Sequence, residues 1–391
     1  MRIAVASDLH CAGGAEPRAD TLLLTGLLRS PAKWHPVQAL LELIAQQGLS
    51  ADLLVVPGDV TNQACPEGLQ HGWQLMIEVR GALGAQALVG TIGNHDVNVL
   101  KEGGRDPLEL PKNAHPTFPL PDSPEGYWSD GIWVGQYDDL EIVSINSIAD
   151  FDEQRCKRGH LRVGLTDKLR ERIQSSSDCV RIAICHHHPT LHSGMNMGTD
   201  DVLEQGDQLL ETLGDLGFSL LIHGHKHSAR LIKSPHGGHL YILASGALSG
   251  LCVRDGLRTN VRNLFHLVTL DSVNGGGSPC RGVVETWQFM QDYGWRPALQ
   301  GATHFPATTG FGAQRSPQEL AASTAEWFDA QGLLVQLWNA VVASQTDVRY
   351  LTPQDFREYE RRLLEDHGVE VWRDEDGLLR SIGRPSGGGA S

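Results

Sequence analysis

The sequence predicts a layered α/β fold, and two observations carry that prediction. Short runs rich in Val, Ile and Leu recur from residue 2 to residue 270 with helical patterns between them. The runs are continuously apolar rather than alternating, as in strands buried on both faces, so the first of them and their intervening helices read as βαβ units.

In chain order the expected strands are RIAVAS (2–7), DLLVVP (52–57), ALVGTI (87–92), EIVSIN (141–146), VRIAIC (180–185), SLLIHG (219–224), LYILAS (240–245) and LFHLVTL (264–270). Helices are expected over 36–47, 68–83, 165–174 and 203–216. Two long loops, 11–35 and 101–131, are rich in Gly, Pro and Asp and each follows a strand end. They read equally as walls of a substrate site or as surface excursions.

The character changes near residue 315. Ser316 is placed as a helix N-cap, with Pro317 at the first helical position and Glu319 closing a capping box. Thr352 and Pro353 repeat the start signal, Gly368 ends that helix, and Asp376 and Gly377 mark the turn of a hairpin. The expected organisation is a catalytic α/β domain over 1–275, a connecting segment over 276–314, a small helical and hairpin module over 315–385, and a flexible tail over 386–391.

Composition limits the function classes. The chain has 391 residues, 40% hydrophobic and 20% charged, and no apolar run of about 18 residues, so no membrane association is expected. The opening MRIAVAS lacks the apolar segment of a secretory leader and reads as cytoplasmic. Seven cysteines are scattered with no CxxC pair, which suggests neither a disulfide framework nor a thiolate metal site. A net charge of −15 disfavours nonspecific binding to nucleic acid, although a local basic groove is compatible with it.

The chemistry-bearing residues stand after expected strands. SDLH places Asp8 and His10, PGDV places Asp59, IGNHD places Asn94, His95 and Asp96, CHHHP places His186, His187 and His188, and HGHKH places His225 and His227. Loops beyond the carboxyl ends of parallel strands are where ligands gather in such sheets. Each motif alone is weak; their joint occurrence in this order is strong.

The five blocks resemble the run DxH, GD, GNH[DE], H and GHxH of the calcineurin-like metallophosphoesterase superfamily, over residues 1 to about 270. The resemblance implies a β-sandwich flanked by helices and two divalent ions, of Mn, Fe, Zn or Co. It assigns one ion to Asp8, His10, Asp59 and His227, and the other to Asp59, Asn94, a histidine of the triple and His225. Counting back from Pro189 selects His187, with His186 as its competitor. His95 is implied to contact the phosphate and protonate the leaving oxygen, and Asp96 either orients His95 or caps the turn. Two ions sharing Asp59 would clamp a phosphate and lower the pKa of a bridging water for in-line attack.

Protein Ser/Thr phosphatases of the superfamily carry GDxVDRG and GNHE, whereas this chain has GDVTNQA and GNHD. The expectation is therefore a phosphodiesterase, similar to the cyclic-nucleotide and glycerophosphodiester group, acting on a nucleotide or other small phosphodiester. A metal-dependent DNA nuclease working with an ATPase partner is the alternative, with residues 315–385 as the docking module for a protein partner; a binding scaffold without turnover is the third reading.

Overall fold

The computed structural model describes residues 1–16, 20–98, 106–120, 125–148, 158–173, 179–191, 202–236, 238–250, 252–254, 257–259, 262–271, 280–299 and 305–385. The tail 386–391, the GGGSP stretch, His192 and parts of both long loops lie outside the described residues.

Two sheets face each other. β1 (Arg2–Val5), β2 (Leu53–Val56) and β3 (Ala87–Gly90) run parallel on one side of the first sheet, connected by α1 (Pro36–Gln47) and α2 (Pro66–Leu83). In the second sheet β4 (Ile132–Tyr137) pairs antiparallel with β5 (Leu140–Ile145); β6 (Val180–Ile184) and β7 (Leu220–His223) follow in parallel, and β8 (Arg230–Lys233) and β9 (Tyr241–Ala244) complete it in the order β4-β5-β6-β7-β9-β8. Between the sheets lies one apolar layer in which Ile3 and Val5 of β1 share a core with Ile182, Ile184 and Ile222. The outer face of the second sheet, with Ala183, Cys185 and Leu221, packs on the helices Leu165–Arg172 and Gly206–Asp215. The β-sandwich flanked by helices is thus present.

The eight expected strands all form, but the stretch expected to connect does not merely connect. After β10 (Cys252–Arg254), β11 (Leu257–Thr259) and β12 (Asn263–Asp271), the chain enters β13 (Arg281–Met290), which pairs with β12 along its whole length. β14 (Gly294–Pro297) and β15 (Thr308–Phe311) then pair with β13, so 276–314 contributes three strands to the first sheet. The sequence signal was weak because RGVVETWQFM interleaves polar residues with its apolar ones. Thr286 in it is buried all the same, because its hydroxyl meets His266 Nδ1 at 2.9 Å.

The C-terminal helices follow their local signals. The helix Pro317–Gln331 starts at Ser316 with both capping-box bonds present, and the helix Pro353–His367 starts at Thr352, whose side chain accepts from the Asp355 N–H. The latter ends on Gly368 at φ 67°. The hairpin of β17 (Glu370–Arg373) and β18 (Leu379–Gly383) gains a third strand, β16 (Val335–Leu337), on its β18 side. Leu320, Phe328, Val341, Tyr359, Leu363 and Ile382 form a core of their own. The module is held to the first sheet by Arg281 stacked 4.3 Å over the Tyr350 ring, by the Tyr350 hydroxyl on Asp271, and by Gly310 N–H on the Leu351 carbonyl. A Cβ at Gly310 would lie 2.1 Å from the Arg349 carbonyl, so this approach requires glycine. Among the described residues no helix is long and apolar enough to cross a membrane.

Candidate metal centre

The carboxyl ends of β1, β2, β3, β6 and β7 all open on one place, so both sheets contribute to a single polar cluster. Turning the chain sharply at each strand end uses unusual backbone: Asp8, His10, Asp59, His225 and His227 have φ between 49° and 79°. Such left-handed residues cost of order 1 kcal/mol or more each and persist where surrounding bonds overdetermine them. Here the bonds are visible. The His225 N–H donates to Asp8 Oδ1 at 2.9 Å and the His95 N–H donates to Asp59 Oδ1 at 2.8 Å. A Cβ on Gly93 would lie 2.1 Å from Asp59 Oδ1, which explains the glycine before Asn94.

Two sets of lone-pair atoms converge. In the first, His10 Nε2 and His227 Nε2 are 2.9 Å apart, His227 Nε2 is 3.4 Å from Asp8 Oδ1, and His10 Nε2 is 3.6 Å from Asp59 Oδ2. In the second, His186 Nε2 is 3.2 Å from Asp59 Oδ2 and 3.2 Å from Asn94 Oδ1, and Asn94 Oδ1 is 2.9 Å from His225 Nδ1. One oxygen, Asp59 Oδ2, belongs to both. Carboxylate, amide and imidazole donors without thiolate are the set that Mn, Fe, Zn or Co accepts. The buried carboxylates of Asp8 and Asp59 are what a pair of cations would neutralise, so the residues fit the group.

The electrostatics are strongly coupled. Burial pushes the Asp59 carboxyl upward, but the rings of His186 and His95 facing it hold it well below the usual carboxylate range. For His186 burial works against the charged ring, yet the Asp59 carboxylate wins and pushes it up to about 9. His10 is lowered by burial to about 3.

Asp8, His10, Asp59, Asn94, His225 and His227 are brought together as expected, while two expectations need correction. The histidine that reaches the second set is His186, not His187. Along β6, Ile182 and Ile184 face the layer between the sheets while Ala183 and Cys185 face outward. His186 continues the inward parity toward Asp59, whereas His187 turns to Ser147, its Nδ1 2.9 Å from the Ser147 hydroxyl. Counting from the proline ignored this alternation. His188 is buried and stacks on His225 at 5.5 Å.

The second concerns Asp96, for which the capping alternative holds and the orienting one does not, since among the described residues it makes no hydrogen bond to the His95 ring. Its Oδ2 accepts the N–H groups of Asp59 and Gly93, and its Oδ1 accepts that of Thr61, so it clamps the two ligand loops together. Burial, and then the charge of Asp59, push its carboxyl up to about 7. The partner of His95 is Asn62, whose Oδ1 lies 3.1 Å from His95 Nδ1, and Asn62 Nδ2 donates to Asp20 Oδ2 at 2.6 Å. Neither Asn62 nor Asp20 was singled out from sequence. Asn62 had a signal, three residues beyond Asp59 in the same loop; Asp20 had none. The His95 ring stands edge-on to His10 at 4.6 Å, beside the first set.

A family model described as calcineurin-like phosphoesterase matches residues 1–229. Among solved structures, the chain is similar to a dimetal phosphatase from Danio rerio at 11% identity, over 74% of this chain and 99% of that one, with a TM-score of 0.46. It is similar to a purple acid phosphatase from yellow lupin (Lupinus luteus) seeds at 11% identity, over 80% and 53%, with a TM-score of 0.45. A zinc complex of Vps29 from Entamoeba histolytica matches at 10% identity, over 76% and 96%, with a TM-score of 0.35. No curated protein sequence matches the chain.

Proposed function

Because the chain belongs to the calcineurin-like phosphoesterase family, we propose that it is a dinuclear metal-dependent phosphodiesterase acting on a nucleotide or another small phosphodiester. The observation that carries this reading is the single oxygen Asp59 Oδ2, placed within 3.6 Å of His10 Nε2 and 3.2 Å of His186 Nε2. Two divalent ions held there would supply charge neutralisation at the phosphate and a water of lowered pKa. Asp8, His10 and His227 would hold one ion and Asn94, His186 and His225 the other, with Asp59 available to both.

The remaining work falls to His95. A carboxylate only accepts, so Asp20 fixes Asn62 Nδ2 as a donor and leaves Asn62 Oδ1 to accept from His95 Nδ1–H. His95 therefore presents Nε2 as the atom that exchanges a proton with the leaving oxygen, a role worth about 10²- to 10⁴-fold. The loop after β2 carries Gln63 rather than arginine next to Asn62, which suits a diester with its single negative charge better than a monoester.

The test is a Mn²⁺-supplemented panel of bis-p-nitrophenyl phosphate, p-nitrophenyl phosphate, cyclic mono- and dinucleotides, and single- and double-stranded DNA. Turnover of the small diesters, lost in Asp59→Asn, is expected. Faster monoester hydrolysis, or no turnover with Mn, Fe, Zn or Co, overturns the reading. The nuclease reading draws on the separately cored C-terminal module, a place for a partner, and the DNA arms of the same panel decide it.

A further inference from the structure

Between the edge of the first sheet and the C-terminal module runs a groove of about 1060 Å³, remote in sequence from every residue of the metal centre. Its walls are apolar and aromatic: Val335 and Leu337 of β16, Trp338, and Phe356, whose ring meets that of Trp338 edge-on at 5.7 Å. Its charged groups are unequal in commitment. Arg373 is paired with Glu360, and Arg380 with Asp374 at 2.6 Å. The exposed side chains of Arg349 and Arg357 make no hydrogen bond or ion pair among the described residues, and Arg357 acts on Glu360 only at a distance. On a chain of net charge −15 this is a basic island.

The groove borders an open strand edge. β16 pairs with β18 on one side and with no strand on the other among the described residues. Leu333, Leu334, Val335 and Leu337 stand 57%, 81%, 44% and 64% exposed, so large apolar side chains crowd the one edge where unpaired backbone groups are also presented. Proteins ordinarily blunt such an edge with charge or proline; here it is left apolar.

We propose that this edge and groove form a docking surface for an acidic, extended segment of a partner protein, which adds a strand to β16. On the face of the added strand that enters the groove, apolar side chains meet Trp338 and Phe356, and carboxylates two residues further along that same face pair with Arg349 and Arg357. The sign of the free charge is what selects an acidic segment, and the open strand edge is what selects an extended one. The inference stands independently of the phosphodiesterase reading.

The experiment uses the full chain and a fluorescein-labelled peptide in which leucine and glutamate alternate along one strand face and threonine fills the other, followed by fluorescence anisotropy. Saturable binding is expected. Arg349→Gln combined with Arg357→Gln should weaken it about tenfold or more, with circular dichroism confirming that the variant is folded. Asp59→Asn should bind the peptide as the unaltered chain does. Equal binding of a peptide with lysine in place of glutamate, or no saturable binding, overturns the proposal. So does a concentration-dependent dimer, seen by sedimentation, that Leu337→Lys dissolves, because the occupant would then be a second copy of this chain.

Discussion

Asp8 and His225, bonded to each other in the metal centre, are 217 positions apart in sequence, whereas the C-terminal module closes its core within residues 320–382. The first region buries carboxylates and imidazoles on left-handed backbone at the ends of strands from two sheets. The second buries Leu, Phe, Tyr and Val on helices with ordinary caps. Where buried groups are polar, each depends on a partner brought from elsewhere, and one misplaced side chain leaves others unsatisfied. Where they are apolar, packing tolerates small changes and stability rests on local order. The chemistry-bearing groups are thereby concentrated in the region most sensitive to a misplaced side chain.

Substitutions can break this contrast. The largest effect is expected at His186: His186→Ala should lose bound metal, measured by elemental analysis, and turnover with it, while His187→Ala keeps the metal. The reverse pattern would restore the proline-counted register. Next, His95→Ala should lower kcat about 10²- to 10⁴-fold with metal content unchanged. Asn62→Ala should lower kcat by a smaller factor and leave KM alone, because Asn62 acts only through the His95 ring; an unchanged kcat would show that the 3.1 Å contact does not position it.

Buried His266 provides a stability test outside the centre. Burial lowers its pKa from 6.5 to about 4, and it is held between Thr286 and the Ser245 carbonyl. Between those values the unfolded chain binds a proton that the folded chain does not, so this contribution is present above about pH 6.5 and is lost as pH falls to about 4. The shift corresponds to about 3 kcal/mol. His266→Gln should flatten the decline of stability in that window, read by denaturant unfolding at several pH values; an unchanged slope would assign the decline to other groups. The smallest effect is expected at the module's cap, where Ser316→Ala should cost about 1 kcal/mol in unfolding and leave turnover unchanged.

Much of this was legible in the sequence for reasons that differ by region. Helix caps at Ser316 and Thr352 and the glycine stop at 368 are set by neighbours within four residues, so their motifs sufficed. The continuously apolar strands were visible because both their faces are covered. β4, β8 and β16 at sheet edges, and β13 with its polar residues, have no such runs and emerged only with their partners. In the centre, the six candidate ligands singled out beside the triple histidine followed from motif order. The choice within CHHHP depended on strand parity, and the partners of His95 and Asp96 depended on which loop lay across from them.

The sequence by itself determined the buried strands and the capped helices, the family and the residue types of the candidate metal centre, because those are properties of short stretches and their order. Tertiary structure alone decided that His186 rather than His187 faces Asp59, that Asn62 and Asp20 hold His95, that Asp96 ties two loops, and that β16 keeps an open edge beside two uncommitted arginines. Each of these is a matter of which side chain points at which, across gaps of a few ångströms between segments far apart in the chain. Such directions are set by sheet pairing and pleat, which no single stretch contains.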